Sequence, residues 1–328
     1  MFMNILIQVG LLAVGFVCLV KGADVFVGGS SALARNFNVP GLIIGLTIVA
    51  LGTSAPEMAV STVAALQGAN EIALSNVVGS NIFNLLGVLG VCAVISPLSV
   101  DGIVLKRDFS FAILTTIIVL FISCGSVLFG GHFIGYSVDR EVAIVTRPIG
   151  FVLVIVFIGY IAFLIVKTRK NSSSDDDKNK EPMWKCIVFI AIGLVLIIAG
   201  GQVVVYSAKE IARAAGMTET LIGLTIVAIG TSLPELVTSA VAARKGETGM
   251  AIGNVIGSNI FNLLFILGVS ALIHPVAINM ASVYDLIILV GVSIISLSFA
   301  FTSRKISRME GGFMLLIYAA DVMFAIVR

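Results

Sequence analysis

Glu57 and Glu235 are the acidic residues whose surroundings most demand explanation. Each ends a Gly-Thr-Ser-X-Pro-Glu run inside a long apolar stretch: Gly52-Thr53-Ser54-Ala55-Pro56-Glu57 and Gly230-Thr231-Ser232-Leu233-Pro234-Glu235. A carboxylate at the centre of a membrane helix costs about 2.5–3.5 kcal/mol on insertion scales, so such residues mark functional positions. Pro56 has no N–H and clashes with the Gly52 carbonyl, which predicts a kink and freed carbonyls around Ala50 and Leu51; Ala228 is the equivalent position in the second run. Helical spacing sets Ala50, Thr53, Ser54, Glu57 and Ser61 on one face, and Ala228, Thr231, Ser232, Glu235 and Ser239 on another. A polar stripe follows on the next helix, Asn76, Ser80 and Asn84, each four apart, and Asn254, Ser258 and Asn262 repeat it. Helix–helix hydrogen bonding is the competing role for Asn76 and Asn254.

Carboxylates, hydroxyls, amide oxygens and backbone carbonyls make an all-oxygen donor set with no Cys or His. Hard cations want such a set. Ca²⁺ takes 6–8 oxygens, and two bidentate glutamates with two carbonyls supply about six. A soft metal would want thiolate or imidazole, and Mg²⁺ gives up its water reluctantly. Two carboxylates also neutralise one Ca²⁺, which lowers the cost of carrying it through a region of low dielectric. When empty, the pair would be open to protons, so inhibition at low pH is expected. An intramembrane acid–base enzyme would use the same two carboxylates, but it would need a nucleophile–base pairing that is not evident. A non-transporting ion sensor is a third class.

The elements that must position these groups are membrane helices. The chain has 328 residues, 59% hydrophobic and 12% charged, with mean hydropathy +1.13. That excludes soluble enzymes, disordered proteins and nucleic-acid binders, and the net charge of +2 implies no acidic partner. The long unbroken apolar runs read as helices rather than barrel strands. They give about ten spans, near residues 5–27, 40–66, 72–95, 109–128, 148–167, 185–206, 218–243, 250–273, 284–302 and 311–327. The first is read as a membrane helix, not a leader, because it lacks a basic start and its apolar run is long. Lys and Arg divide roughly 15 to 5 between alternate loops, which predicts both termini outside and the central loop cytoplasmic. That loop, residues 168–184, is polar and is read as a solvated linker. The four cysteines and two histidines are read as structural. Asp24 and Asp321 are read as residues near the two membrane surfaces.

The strongest pattern is internal. Residues 44–97 and 222–275 align without a gap at an offset of 178, with identity at about 34 of 54 positions. Each copy lies in a five-span unit, residues 1–167 and 185–328. Five is odd, so the second unit must enter the membrane from the opposite side. The expected fold is therefore an all-α polytopic membrane protein of two inverted five-helix repeats, with its substrate site at mid-membrane between them.

The paired motifs GTSAPE…GSNIFN and GTSLPE…GSNIFN resemble the two alpha repeats of the sodium/calcium exchanger family, within the cation/calcium exchanger superfamily. The resemblance covers nearly the whole chain and is closest to small prokaryotic calcium/sodium antiporters. It implies a secondary active antiporter that exchanges Na⁺ for Ca²⁺ by alternating access, is electrogenic at three Na⁺ per Ca²⁺, needs no cofactor, acts as a monomer and sits in the inner or plasma membrane. It further implies that Glu57 and Glu235 are the principal ligands, with Thr53, Ser54, Thr231, Ser232, Ser80, Ser258 and the Ala50 and Ala228 carbonyls contributing. Asn84 and Asn262 match the last polar position of each motif. Some members carry Asp where this chain has Asn262, so K⁺-dependent exchange and Ca²⁺/H⁺ exchange stay open as alternatives. The central loop is too short for the folded Ca²⁺-sensing domains of the animal proteins. The helices expected to rock over the rest are the first and sixth spans.

Overall fold

The structure, a computed structural model, describes residues 2–68, 70–129, 141–171, 180–217, 226 and 228–327. It is helical almost throughout. Helix α1 (Phe2–Asn36) leads to α2 (Gly41–Thr53) and α3 (Ala55–Leu66), a single path bent by 48°. Helix α4 (Asn70–Ile82) continues through a π-helical turn, Phe83–Val88, into Leu89–Ile95. Then come α5 (Ser110–Phe129), α6 (Arg147–Asn171) and α7 (Met183–Ala214). The second repeat resumes with the short turn Ala228–Thr231 and α8 (Leu233–Arg244). Helix α9 (Thr248–Ile260) runs on through a second π-helical turn, Phe261–Ile266, into Leu267–Ile273. Helices α10 (Met280–Ser303) and α11 (Arg308–Val327) complete the chain.

Seven described helices are long and apolar enough to cross a membrane, and α2–α3 makes eight if the bent pair counts as one span. Of the ten expected spans, the fourth corresponds to the 20-residue α5, and the start of the seventh lies outside the described residues. The expected linker begins late, because α6 continues to Asn171; residues 172–179 and His132 are also outside the description. Two two-stranded antiparallel ladders qualify the all-α expectation: β1 (Leu98–Ser99) on β4 (Lys305–Ile306), and β2 (Glu141–Val145) on β3 (Val276–Asn279). They give backbone groups in the helix connections partners that helices cannot supply there.

The motif helices form the centre. Inside the bundle lie 78% of the most apolar window of residues 72–95 and 78% of that of residues 248–273, against 17% for α1 and 11% for α11. A membrane protein can afford such exposure, since lipid is as apolar as the side chains that face it. Helices α1 and α7 pack antiparallel on small residues. A Cβ on Gly22 would sit 3.0 Å from the Gly193 carbonyl oxygen, and one on Gly193 2.6 Å from the Phe26 nitrogen. At 35 residues α1 extends about 52 Å, well beyond a hydrocarbon core of about 30 Å, so it lies inclined or projects from the membrane.

Candidate functional site: a crossed set of oxygens

The local break forms as the sequence predicts. Ser54 leaves helical geometry at φ −82° and ψ 11°, and Ser232 does the same at φ −91° and ψ 8°. Each proline then starts a new helix, where a missing N–H costs nothing, and each glutamate falls in that helix's first turn. The freed carbonyl expected at Ala50 is not found. That oxygen accepts the Ser54 N–H at 3.0 Å, because Pro56 withholds its N–H from Gly52, two residues further on. The Ala50 carbonyl can therefore offer a cation its second lone pair only. In the second copy the Ser232 N–H is drawn to the Ile229 carbonyl at 3.2 Å, one residue past Ala228.

Helix α2 crosses α9 with almost no side chain between them. A Cβ on Gly253 would lie 2.5 Å from the Leu42 carbonyl oxygen, and one on Gly257 2.7 Å from that of Leu46. This close approach delivers the Thr53–Ser54 corner to the polar stripe of the other repeat. Thr53 Oγ1 donates to Asn254 Oδ1 at 3.0 Å. Ser54 Oγ lies 2.7 Å from Glu235 Oε1 and 2.9 Å from Ser258 Oγ. The opposite corner is built the same way: Ser232 Oγ lies 2.9 Å from Glu57 Oε1 and 3.1 Å from Ser80 Oγ. Thus the serine of each copy holds the carboxylate of the other.

Thr53, Ser54, Ser80, Asn84, Ser232, Glu57, Glu235, Ser258 and Asn262 are all buried, and Ala50 with them. The amide nitrogens of Asn76 and Asn254 clamp helices within a repeat, while Asn254 Oδ1 also holds Thr53 of the other. Asn76 Nδ2 donates to Ser61 Oγ at 2.9 Å and Asn254 Nδ2 to Ser239 Oγ at 2.9 Å, which is the helix–helix role.

Two residues outside the expected set are central. Asn81 and Asn259 meet where the repeats cross, each donating to the other's backbone carbonyl, at 3.2 and 3.3 Å. Their side-chain oxygens accept from the second asparagines: Asn84 Nδ2 to Asn259 Oδ1 at 3.1 Å, and Asn262 Nδ2 to Asn81 Oδ1 at 3.0 Å. Reading every fourth residue from Asn76 passes over Asn81. The i,i+3 spacing to Asn84, together with identity in both copies, was the signal available.

What remains unbonded defines the chemistry. Glu57 Oε2, Glu235 Oε2, Asn84 Oδ1 and Asn262 Oδ1 are buried and have no hydrogen-bond partner among the described residues. A buried unsatisfied acceptor costs about 1–3 kcal/mol, and more if charged, so each of these four oxygens is suited to accept a cation. No Lys, Arg or His forms an ion pair with either glutamate among the described residues. No cluster of three or more His, Cys, Asp or Glu is present there either, so the donors are oxygens from mixed sources. Such a set matches hard cations.

A bundle crossed by two kinked motif helices, with acidic and amide oxygens at their meeting point, is the architecture of a secondary transporter of cations. The sequence profile described as sodium/calcium exchanger protein matches residues 7–166 and 185–327, and the chain belongs to that family. It is 40% identical over 321 residues to CaxA of Alkalimonas amylolytica, described as a candidate antiporter, covering 93% of this chain and 94% of that one. It is 32% identical over 336 residues to the sodium/calcium exchanger MaX1 of Methanosarcina acetivorans, covering 94% and 96%. A solved structure of the sodium-calcium exchanger NCX_Mj superposes with a TM-score of 0.81 at 34% identity, covering 97% of this chain and 99% of the other. The chain is a multi-pass membrane transporter, not an enzyme.

Proposed function

We propose that the chain exchanges Na⁺ for Ca²⁺ by alternating access, with the ions bound among Glu57, Glu235 and the oxygens around them. The observation that carries this reading is the crossed pair Ser54–Glu235 and Ser232–Glu57. Each carboxylate keeps one oxygen in a protein hydrogen bond and one free. A Ca²⁺ ion bridging the free oxygens is electrically balanced by the two glutamates. Three Na⁺ on the same pair leave one positive charge, so the Na⁺ limb carries the voltage dependence. Thr53, Thr231, Ser80, Ser258, Asn84, Asn262 and the Ala50 and Ala228 carbonyls complete the sites. The pair α1–α7 is the unit that moves over the remaining helices, and its close glycine packing, which ties the two helices to each other, supports their moving together. No cofactor takes part, and one chain is sufficient.

The loops expected inside come together at one end: Asn38, Ser99, Lys167 and Glu247 line a single cavity there. This supports a cytoplasmic central loop, with both termini outside in the cell membrane. Everted vesicles test the function. Ca²⁺ uptake should follow an imposed outward Na⁺ gradient and be stimulated by the voltage that favours net positive charge leaving with Na⁺. Uptake indifferent to Na⁺ and abolished by collapsing a pH gradient would establish Ca²⁺/H⁺ exchange instead. Uptake that needs K⁺ beside Na⁺ would establish the K⁺-dependent mode.

A further inference from the structure

Three cavities join on the outer face of the α5–α6 pair. The first, about 280 Å³, is apolar and is walled by Leu114, Ile118, Ile122, Val152 and Val156. It shares Phe111, Leu114 and Val156 with a groove of about 470 Å³ that ends at Lys106 and Arg107. Those two bases also line a third cavity of about 450 Å³, with Lys167, Arg304 and Asp101. Several of these charges are already committed. Asp101 Oδ1 accepts the Ile103 N–H at 2.7 Å. Arg107 holds the buried Asp108 through two bonds of 2.8 and 2.9 Å, and the Tyr160 hydroxyl adds a third at 3.1 Å. Lys106, Lys167 and Arg304 remain exposed, with no carboxylate partner among the described residues.

Arg304 is set in place by its backbone. It adopts φ 51°, a left-handed conformation unusual for a side chain of its size, and its carbonyl accepts the Val100 N–H at 2.8 Å. Its guanidinium carbon is 3.8 Å from where a Cβ on Gly102 would stand. From Ser110 to Ile122 the groove follows α5 for about 18 Å, close to the depth of one leaflet's hydrocarbon, about 15 Å.

We infer that this is a binding site for one anionic glycerophospholipid, its phosphate among Lys106, Lys167 and Arg304 and an acyl chain along the α5–α6 groove. The three cations without carboxylate partners, Lys167 among them with its ammonium 5.4 Å above the Phe163 ring, select a net negative headgroup; a zwitterionic lipid would bring its own cation among them. Free phosphate would leave the apolar groove without an occupant. Arg107, held by the buried Asp108, lines both the groove and the charged cavity.

Native mass spectrometry of the purified full chain with equal phosphatidylglycerol and phosphatidylcholine tests the site. Phosphatidylglycerol should be retained at least ~10-fold more strongly. A variant with Lys106→Gln, Lys167→Gln and Arg304→Gln should lose that preference, while Arg244→Gln, outside the lining, should keep it. Ile118→Trp, which fills the groove at constant charge, should reduce retention of both lipids. Na⁺-driven Ca²⁺ uptake in phosphatidylcholine vesicles checks that each variant folds. If the triple variant does not, each single substitution carries the test at about 3-fold. Equal retention of the two lipids by the unaltered chain, a preference surviving the triple change, undiminished binding to Ile118→Trp, or displacement of lipid by millimolar inorganic phosphate would each overturn the proposal.

Discussion

The two repeats agree where they meet and differ where they leave the membrane. At the centre the geometry is nearly interchangeable: Ser54 to Glu235 at 2.7 Å against Ser232 to Glu57 at 2.9 Å, and Asn84 to Asn259 at 3.1 Å against Asn262 to Asn81 at 3.0 Å. At the helical hairpin ends the halves part. Gly68 and Gly246 occupy equivalent turns, at φ 72° and 81°. The residue before Gly246 is Lys245, which pairs with Asp24 at 2.8 Å. The counterparts of Lys245 and Asp24, at the offset of 178, are Gln67 and Gln202, and both charges are gone. An ion site of the kind proposed, shared by the two copies, would hold their equivalent residues alike. The two membrane faces bear different loads, topological charge above all, and that frees them to diverge.

Glu57→Gln and Glu235→Gln test the central symmetry most severely. Each should lower Na⁺-driven Ca²⁺ uptake in everted vesicles by about 100-fold or more, since a lost charge on a buried cation is worth about 3 kcal/mol. Near-normal uptake in either variant would remove that residue from the ion site. Asn262→Asp adds a third carboxylate to one copy only. It should tighten apparent Ca²⁺ binding about 10-fold and weaken the voltage dependence of the Na⁺ limb, as measured by electrogenic uptake in proteoliposomes. The mirror change, Asn84→Asp, giving the same result would show that the copies are equivalent. Asn81→Ala and Asn259→Ala leave the ligands in place but release Asn84 or Asn262. Each should raise the half-saturating Ca²⁺ concentration about 5-fold to 10-fold, the worth of one buried hydrogen bond. The smallest effect belongs to Lys245→Gln, which makes the two hairpin ends alike. An exposed pair is worth about 0–1 kcal/mol, so the rate should change by less than about 5-fold, and high salt should abolish the difference.

Much of this was legible in the residues themselves. Glu57 and Glu235 stand out because burying a charge in an apolar chain is costly, and the bend at Ser54 and Ser232 follows from a proline two positions on. An inverted arrangement is what five spans per copy predicts. The role of Asn76 and Asn254 was less legible, because one helix stripe cannot reveal whether an amide faces an ion or a neighbouring helix. The Ala50 carbonyl shows the limit of reasoning about a break from proline alone, for the loss fell further along the chain. Asn81 and Asn259 were hidden because their partners lie 178 residues away.

The sequence by itself determined which oxygen-bearing residues stand inside apolar runs and that they occur twice, since residue type and spacing are one-dimensional properties; the inversion of the two copies is what an odd number of spans per copy predicts. Only the tertiary structure decided that the serines cross between repeats, that paired asparagines orient the remaining amides, and that Glu57, Glu235, Asn84 and Asn262 each keep one buried oxygen without a partner among the described residues. The Ser54 corner among them depends on how closely α2 approaches α9, and that distance is set by glycines whose role appears only when a second backbone lies against them.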